Sequence, residues 1–306
     1  MRPEQIAFAD GMPVKVFVRQ VEQYPYHWHD TLEIMQVLNG EVNISLGDHD
    51  LVMRRNDVAV TNIGEIHRIT DGGIDNMLLI IHIDGDFCRS VLPEHKYLFI
   101  YCCSAYHEAE VPGKYKVLKE HIARLIQVLG ERAPGERENN VHGVLTSMLS
   151  YLTYNFDLLR WGFGTTPLDD KRVDRLGRIA ERMRCDPSVK PGLKALAAEA
   201  GVTLQHLSYD IKNRFGLTFQ ELLYYGKCEE AAKLLLSTDR RIVDIALECG
   251  FSDVKYLIKH FKQYFQCTPS EFRKTHRRDP EALSSQARYK DVPLSYARWH
   301  VGSGDT

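Results

Sequence analysis

Several features common in other classes of protein are missing from this sequence. No hydrophobic run approaches the roughly 20 residues needed to cross a bilayer, and the opening MRPEQIAFADGMPVKVF lacks the apolar core of a signal peptide. There is no phosphate-binding glycine loop, no Ser/His/Asp arrangement and no zinc-finger spacing. The seven cysteines form no CxxC pair, which argues against a disulfide framework. These absences predict a cytoplasmic protein with reduced thiols and no membrane partner.

The length and the charge distribution predict two different domains. The chain has 306 residues, and single domains commonly contain roughly 100–200. Hydrophobic residues make up 44% and charged residues 26% of the sequence, as in folded globular proteins. Residues 171–278 carry 21 Lys and Arg against 13 Asp and Glu, whereas the rest of the chain carries 18 against 28. The balance of +8 in this segment suits it to bind a polyanion.

The basic segment contains an internal repeat, which is the strongest signal in the sequence. One copy begins at Leu193 and reads LKALAAEAGVTLQHLSYDIKNRFGLTFQEL; the other begins at Ile242 and reads IVDIALECGFSDVKYLIKHFKQYFQCTPSEF. The matched pairs are Ala197 and Ala246, Gly201 and Gly250, Leu207 and Leu257, Lys212 and Lys262, Phe215 and Phe265, and Thr218 and Thr268. The spacing rises from 49 to 50 residues, so the second copy has one extra residue after its glycine.

Each copy predicts a helix-turn-helix unit. A short helix rich in alanine precedes a glycine that allows the positive φ of a tight turn, and Thr203 or Ser252 then caps the next helix. That second helix is amphipathic in both copies and leaves a polar face free. Between the copies, residues 219–241 predict one long helix. This helix is a rigid spacer that lets both units reach successive major-groove faces, about 34 Å apart.

Residues from about 172 to 275 resemble the DNA-binding domain of the AraC family of regulators. The matching motifs are Asp244-Ile245-Ala246, Gly250-Phe251, Phe261-Lys262, Tyr264-Phe265, Thr268-Pro269-Ser270 and Phe272-Arg273. Three residues depart from the family pattern: Gln266 replaces Gly, Lys227 replaces Arg and Ile211 replaces Phe. Gln266 has a physical cost, because a positive φ is less favourable without glycine. The resemblance implies an all-α domain with two helix-turn-helix units that binds double-stranded DNA.

The free faces of the second helices supply the candidate DNA contacts. The candidates for base edges are Gln205, Ser208, Tyr209, Lys255 and Lys259. The candidates for phosphates are Arg172, Arg175, Thr203, Lys212, Ser252 and Lys262. The alternative is a plain helical bundle with solvated lysines, but two copies in matching register and the positive balance favour DNA binding.

Residues 14–84 predict a second, all-β domain. Short runs alternate apolar and polar positions: VKVFV, LEIMQVL, VNISL, LVM, DVAVTN and NMLLIIHI. Such runs, with Gly40, Gly47-Asp48 and Gly72-Gly73 at hairpin turns, predict an antiparallel sandwich or barrel. The segment also contains His27-x-His29, then Glu33 and Gly40, and later Asn62-x-Gly64-x-x-His67. These resemble the two motifs of the cupin barrels, with Asn62 in place of the usual Pro.

The cupin resemblance leaves two interpretations of this domain. In metal-binding cupins the positions matched by His27, His29, Glu33 and His67 hold a divalent metal, and this set suits Zn, Fe, Mn or Ni. The even offsets of the first three predict one face of a strand. AraC-type sensor domains often keep such side chains without a metal, so we expect an effector pocket with no metal or other cofactor. Its expected residues are Tyr26, His27, Trp28, His29, Glu33, Met35, Val37 and His67.

Two further amphipathic helices are predicted between the domains. Their apolar stripes are Leu118, Ile122, Leu125 and Leu129, then Val141, Leu145, Met148, Leu152, Phe156 and Leu159. APGERENN at 133–140 separates them, and they either pair with a second subunit or cover the barrel; the family resemblance favours a homodimer. The predicted domains are 1–105 (cupin-like, effector-binding), 106–160 (helical connector or dimerisation), 161–171 (linker), 172–276 (AraC-type, DNA-binding) and 277–306 (a tail of open role).

Together these features predict a transcriptional regulator and not an enzyme. A sugar-like effector in the barrel would shift the population of a DNA-competent state, and an activator of carbohydrate-utilisation genes would also contact RNA polymerase. The alternative is a metal-dependent cupin enzyme with an attached helical regulatory domain. A third interpretation keeps DNA binding and assigns the barrel to dimerisation alone.

Overall fold

The computed structural model describes two compact units. The described residues are 4–9, 11–46, 49–73, 75–91, 100, 102–130, 134–156, 193–199, 201–215, 218–276 and 287–301. The first unit, here called the barrel unit, comprises residues 3–46, 50–157 and 285–306. The second, here called the helical unit, consists mainly of residues 158–284. The predicted combination of an all-β domain and an all-α domain is confirmed.

The barrel unit is a nearly closed antiparallel β-barrel. Its strands are β1 (Val14–His27), β2 (Thr31–Asn39), β3 (Glu41–Leu46), β4 (His49–Arg54), β5 (Val58–Thr61), β6 (His67–Asp71), β7 (Met77–Asp84) and β8 (Arg288–Val292). The strand order is β4-β3-β6-β1-β7-β2-β5, and β8 also pairs with β1. Gly40 turns the chain between β2 and β3 at φ 70°, which a side chain would strain. The sequence patterns missed β6 and β8, which are short and rich in polar residues.

Helices cover one face of the barrel. They are α1 (Gly85–Val91), α2 (Ser104–His107), α3 (Pro112–Val128) and α4 (Pro134–Asn155). Most residues of these two stripes are buried in one cluster with strand residues such as Leu32 and Ile34, and Leu129 is partly buried against it. The buried residues of these stripes therefore cover the barrel of their own chain, and the homodimer stays a prediction. Leu159, predicted at the end of the second stripe, lies outside the described residues.

The predicted break between the two connector helices is wrong in its extent. Helix α4 already begins at Pro134, so seven of the eight residues of 133–140 are helical. Proline is well suited to the first position of a helix, because its missing N–H has no intrahelical partner there. A segment rich in polar residues and opened by proline therefore forms the first two turns of a long helix.

The end of the chain belongs to the barrel unit. Val18 on β1 pairs with Val292 on β8, and the short helix α11 (Ser295–His300) follows. Ala297 on α11 is fully buried in the barrel core, with Leu294 and Tyr296 packed against it. The tail whose role the sequence left open therefore supplies a strand and a helix to this unit.

The helical unit contains the predicted pair of helix-turn-helix repeats. Its helices are α5 (Leu193–Glu199), α6 (Leu204–Phe215), α7 (Phe219–Ser237), α8 (Ile242–Glu248), α9 (Val254–Phe265) and α10 (Pro269–His276). Gly201 and Gly250 adopt φ of 65° and 73° in the turns, as predicted. Helix α7 is the spacer, and its 19 residues span about 28 Å. A capping box between Thr218 and Glu221 fixes its first turn.

The caps of the two second helices differ. Thr203 accepts a hydrogen bond from the backbone N–H of His206 at 3.1 Å, as predicted for a cap of α6. The predicted cap Ser252 is wrong, because Asp253 occupies the cap of α9 and accepts from the N–H of Lys255 at 2.8 Å. The single extra residue of the second copy lies just before this position, which moves the cap by one residue. At the other end of α9, Gln266 adopts the left-handed conformation with φ 54°.

Candidate effector site and nucleic-acid interface

Four polar side chains meet in the interior of the barrel unit. His27 ends β1, His29 follows it, Glu33 lies on β2 and His67 begins β6. The prediction of one strand face for the first three is wrong, since β2 starts only at Thr31. They converge instead because β1 pairs with β6, where His27 lies opposite His67. Their side chains are at most 5% exposed.

The four side chains direct their polar atoms at one another. Glu33 Oε2 lies 3.1 Å from His29 Nε2 and 2.9 Å from His67 Nε2. The ring centroids of His27 and His67 are 4.1 Å apart. One ligand atom from each residue can be chosen so that all four atoms lie within 4.8 Å of one another. We call these residues, His27, His29, Glu33 and His67, the three-histidine cluster.

Backbone carbonyls fix how the three rings are oriented. Each Nδ1 atom faces a carbonyl oxygen: His27 faces Pro25 at 3.0 Å, His29 faces Thr31 at 3.1 Å and His67 faces Glu65 at 2.9 Å. A carbonyl oxygen only accepts hydrogen bonds, so Nδ1 carries a proton in His27 and His67. In His29, Nε2 faces the Glu33 carboxylate at 3.1 Å and Nδ1 can accept from the Thr31 hydroxyl at 2.8 Å. In a neutral ring of His27 or His67 the lone pair is then on Nε2, the atom directed into the cluster.

Burial and charge oppose each other in the pKa values of the cluster. Burial alone would lower the pKa of His67, but the Glu33 carboxylate outweighs it and raises that pKa. Burial would raise the pKa of Glu33, but His67 and His29 hold it well below its usual range. Burial and the neighbouring rings of His67 and His29 lower the pKa of His27 well below its usual range. The cluster therefore contains a carboxylate and at least one neutral imidazole at neutral pH.

The cluster fits a divalent transition-metal ion. Three imidazole nitrogens and one carboxylate oxygen form a donor set that suits Zn²⁺, Fe²⁺, Mn²⁺ or Ni²⁺. Metal-binding histidines commonly donate their other N–H to a carbonyl or carboxylate, as His27 and His67 do here. His67 Nε2 is buried and has no hydrogen bond of acceptable geometry, although it lies 2.9 Å from Glu33 Oε2. The Glu33 carboxylate, which raises the pKa of His67, is the ion-pair partner of this nitrogen.

A second layer of polar residues surrounds the cluster. Thr31 Oγ1 lies 2.8 Å from His29 Nδ1 and 2.9 Å from His82 Nδ1, so its hydroxyl can link the two rings. Glu4 accepts a hydrogen bond from the Tyr24 hydroxyl at 2.7 Å, and its other oxygen lies 3.7 Å from His27 Nε2. Sequence reasoning missed all four residues. Only the pairing of Glu33 with His82 across β2 and β7 could have indicated one of them.

The other predicted pocket residues have different positions. Met35 and Val37 are fully buried and alternate with Glu33 along β2, so they share its face. Tyr26 is buried, and the guanidinium of Arg68 lies 5.2 Å from its ring centre. Trp28 is half-buried, and its carbonyl accepts a hydrogen bond from the N–H of Glu4 at 2.8 Å. The part of these four residues in effector binding stays a prediction.

The predicted DNA faces of the helical unit are open to solvent. On α6, Gln205, Ser208, Tyr209 and Lys212 are exposed, while Leu207 and Ile211 are buried on the opposite side. On α9, Lys255, Lys259 and Lys262 are exposed, while Leu257 and Phe261 are buried. Thr203 and Ser252 are also exposed. Arg172 and Arg175 lie outside the described residues, and the contacts of every candidate with DNA stay predictions.

Two family models match this chain, one for each unit. A model described as an AraC-like ligand binding domain matches residues 18–140, and one described as a helix-turn-helix domain matches residues 196–275. The chain belongs to the AraC family of transcriptional regulators. The three-histidine cluster therefore lies within the ligand-binding domain of an AraC-family regulator, and the exposed faces of α6 and α9 lie within its helix-turn-helix domain.

Individual proteins are also similar to this chain. The transcriptional activator NphR of Rhodococcus sp. is 32% identical over 106 residues, which are 35% of this chain and 31% of that protein. The HTH-type transcriptional activator RhaS of Enterobacter sp. (strain 638) is 23% identical over 82% of this chain and 87% of its own. The structure of ToxT from Vibrio cholerae is 15% identical and covers 86% of this chain and 98% of its own, with a TM-score of 0.45.

Among the described helices of this AraC-family regulator, none combines the length and the apolar character that a membrane span requires.

Proposed function

We propose that this AraC-family regulator is a sequence-specific transcriptional activator that responds to a small molecule bound in its barrel unit. The observation that carries the proposal is the pair of exposed polar faces on α6 and α9, at matching positions of the repeat and on either side of the spacer α7. A buried apolar stripe behind each face leaves the polar side chains free to enter a groove. Two relatives are named activators, which supports this sign of regulation.

The two kinds of contact have different expected roles. Gln205, Ser208, Tyr209, Lys255 and Lys259 would contact base edges and supply sequence discrimination. Phosphate contacts would fix the position of the protein along the duplex and make binding depend on salt. The residues expected to make them are Thr203, Lys212, Ser252 and Lys262, with Arg172 and Arg175.

Equilibrium DNA binding by the full-length protein tests this proposal. The probe is the duplex upstream of the protein's own gene, compared with a scrambled duplex, at several salt concentrations. Lys259→Ala is expected to cost about 1–3 kcal/mol and to relax discrimination at one position. Lys262→Ala is expected to weaken binding to both duplexes and to reduce the salt slope by about 1. Lys116→Ala, an exposed lysine of the barrel unit, is the matched control. Binding that no α6 or α9 substitution alters would refute the proposal.

For the effector, we infer a sugar-like molecule and carbohydrate-utilisation genes as targets. The support is chemical: a half-buried indole, Trp28, lies in sequence between two cluster histidines, and indole faces stack well on sugar rings. Titration of candidate sugars against the fluorescence of the full-length protein, compared with Trp28→Phe, tests this. A sugar that changes DNA affinity but leaves the fluorescence of both the unmutated protein and the Trp28→Phe variant unchanged would show that Trp28 does not contact the effector.

We also infer that the protein acts in the cytoplasm as a homodimer and recruits RNA polymerase, as the family resemblance implies. Because the stripes of α3 and α4 are buried within one chain, the dimer would use other surfaces. Sedimentation velocity at micromolar concentration tests the dimer. A protein that sediments as a monomer both with and without DNA would refute it. In vitro transcription with purified polymerase tests recruitment.

A further inference from the structure

We propose that Arg19, held in place by the strand β8, binds a carboxylate group of the effector, so that the effector is an acidic sugar such as a uronate. The proposal deepens the proposed function, because it rests on a sugar-like effector in the barrel unit and adds the charge that the site selects. It also gives a part in effector binding to a strand that follows the DNA-binding helices in the chain.

Arg19 is a largely buried cation whose hydrogen-bond donors are mostly unused. Its side chain is 16% exposed. Its Nε donates to Asp291 Oδ1 at 3.0 Å, and neither terminal nitrogen of the guanidinium has a hydrogen bond to any described residue. A guanidinium has five N–H donors, so four remain without a protein acceptor. Because a desolvated donor without an acceptor is costly, the position favours a ligand that supplies one.

Strand β8 fixes the orientation of this guanidinium. It pairs with β1 so that Asp291 lies opposite Arg19. The guanidinium carbon of Arg19 lies 3.7 Å from the centre of the Tyr289 ring and 4.1 Å from that of the Phe17 ring. The cation thus packs against two aromatic rings while Asp291 binds its Nε. The edge formed by the two terminal nitrogens can form two parallel hydrogen bonds with a carboxylate.

Arg19 lies on the same face of the sheet as the cluster residue Glu33. His82 pairs with Lys15 on β1 and with Glu33 on β2, so these three side chains share a face. Arg19 is four residues from Lys15 and therefore projects to that face as well. Burial is the main reason why the pKa of His82 falls to about 3, and the charge of Arg19 lowers it further. A ligand bound at Arg19 would therefore face the polar groups of the three-histidine cluster.

Aromatic rings lie between the guanidinium and the cluster on two sides. On one side the ring centres of Phe17 and His82 are 5.5 Å apart. On the other side the ring centre of Tyr24 is 5.9 Å from that of Tyr289 and 4.4 Å from that of His27. Such rings offer apolar faces to the C–H groups of a sugar, whose polar groups can then be bound at either end.

A buried hydroxyl beside Glu33 is an independent indication of a polar ligand. Thr61 is fully buried and pairs with Glu33 across β5 and β2, so its side chain lies on the same face. Its Oγ1 has no hydrogen-bond partner in the part of the chain that the structure describes. Most buried polar side-chain atoms do have a partner. A hydroxyl group of a sugar could donate to Thr61 and accept from it.

The charges of the site favour a ligand with one negative charge. Arg19 is already paired with Asp291, and the cluster contains the Glu33 carboxylate. One guanidinium balances one carboxylate in a planar pair, whereas a phosphate group carries up to two charges at neutral pH. The site therefore fits a carboxylate better than a sugar phosphate.

Calorimetric titration of the full-length protein with D-glucuronate and D-galacturonate tests the proposal. Each acid is compared with its amide, which has nearly the same shape without the charge, and with D-glucose 6-phosphate. We expect at least one acid to bind about 10–100-fold more tightly than its amide, the range that hydrogen bonds to a charged group contribute. Equal affinity of acid and amide, no binding of either acid, or binding of the phosphate alone would overturn the proposal.

Substitutions separate the roles of Arg19 and β8. Arg19→Gln should abolish the preference for acid over amide, and Arg19→Lys should restore only part of it, because an ammonium group cannot form the planar pair. Tyr289→Ala should weaken acid binding about 2–5-fold, whereas Tyr289→Phe keeps the ring over the cation and should not. The matched control is Arg54→Gln, at an exposed arginine of β4 that is paired with Glu41. An unchanged preference for the acid in Arg19→Gln would overturn the role of Arg19.

Hydrogen exchange in the unmutated protein covers the case of variants that fail to fold. On addition of the acid, the amides of β8 should exchange more slowly, because a bound carboxylate would hold Arg19 against Tyr289 and Asp291. The amides of β3, which pairs with β4 and β6 and not with β8, should be unaffected. Unchanged exchange in β8 at a saturating concentration of acid would overturn the part of this strand in the site.

Duplex binding by the same preparations distinguishes this proposal from the proposed function. Binding of the upstream duplex without binding of either acid would overturn the carboxylate site and leave the regulator intact. Binding of an acid without duplex binding, in the presence or absence of that acid, would refute the regulator and leave the carboxylate site intact.

Discussion

The left-handed residue at the end of α9 gives a quantitative prediction about stability. Gln266 adopts φ 54° at a position where a glycine would have no steric penalty. The left-handed conformation costs a residue with a side chain roughly 1–2 kcal/mol, and glycine loses about 0.5–1 kcal/mol more in chain entropy on folding. The Gln266 side chain also donates to the carbonyl of Gln263 at 2.9 Å, so a direct comparison of Gln with Gly would mix two effects.

Comparing Gln266→Gly with Gln266→Ala removes this complication, since both variants lose the side-chain hydrogen bond. We expect the Gly variant to be more stable than the Ala variant by about 0.5–1 kcal/mol, the part of the steric cost that exceeds the entropy loss. The assay is urea unfolding of the full-length protein, followed by far-ultraviolet circular dichroism. The midpoint should shift with an unchanged slope, because the surface exposed on unfolding is the same.

Gln263 provides the internal control for this prediction. It is exposed, lies within α9 and has ordinary helical geometry. At this position the order should reverse, with Ala more stable than Gly by about 1 kcal/mol. If Ala is at least as stable as Gly at position 266, the left-handed turn is not strained there and the reasoning fails.

Three further predictions concern other parts of the chain. Ile122→Ala, at a fully buried position of α3, should lower the free energy of unfolding by about 2–5 kcal/mol. Lys116→Ala, on the exposed side of the same helix, should change it by less than about 0.5 kcal/mol. Equal effects of the two substitutions would contradict the burial of Ile122 in the barrel core. Thr218→Ala removes the capping box with Glu221 and should cost about 1 kcal/mol in thermal unfolding, an effect that Thr218→Ser should largely avoid. Burial lowers the pKa of His82 to about 3, below the value of about 6.5 in the unfolded chain. The contribution of the neutral His82 ring to the free energy of unfolding is therefore fully present above pH 6.5 and is lost as the pH falls toward 3. His82→Asn should therefore flatten the decline in stability between pH 6.5 and 4, and an equally steep decline would contradict this.

Most of the architecture was predictable because it depends on local patterns. The alternation of apolar and polar residues along β1, β2 and β7 can be recognised from residues close together in the sequence, and so can each copy of the repeat between Leu193 and Phe272. Strands β6 and β8 carry few apolar residues and depend on β1 as a partner, so no local pattern indicates them. Helix α4 begins earlier than its apolar stripe, because a first turn needs little burial when a proline starts it.

The barrel site was predictable in its members but not in its geometry. The motif spacing identified His27, His29, Glu33 and His67, but their convergence depends on pairing between strands that are distant in sequence. Glu4 is close to the cluster in space although it lies 23 residues before His27, and His82 reaches it only through β7. Likewise, Asp253 displaced Ser252 as the cap of α9 because one inserted residue moved the start of that helix.

The strand β8 has a consequence for how the protein can be dissected. Because β8 (Arg288–Val292) pairs with β1, the DNA-binding helices are an insertion within the sensor domain and are joined to it covalently at both ends. Truncation after His276 would strip a strand from β1 and impair effector binding before it affects any DNA contact. A chimaera that exchanges specificities should therefore move residues 172–276, the predicted DNA-binding domain, as an internal cassette and retain the native C-terminal segment.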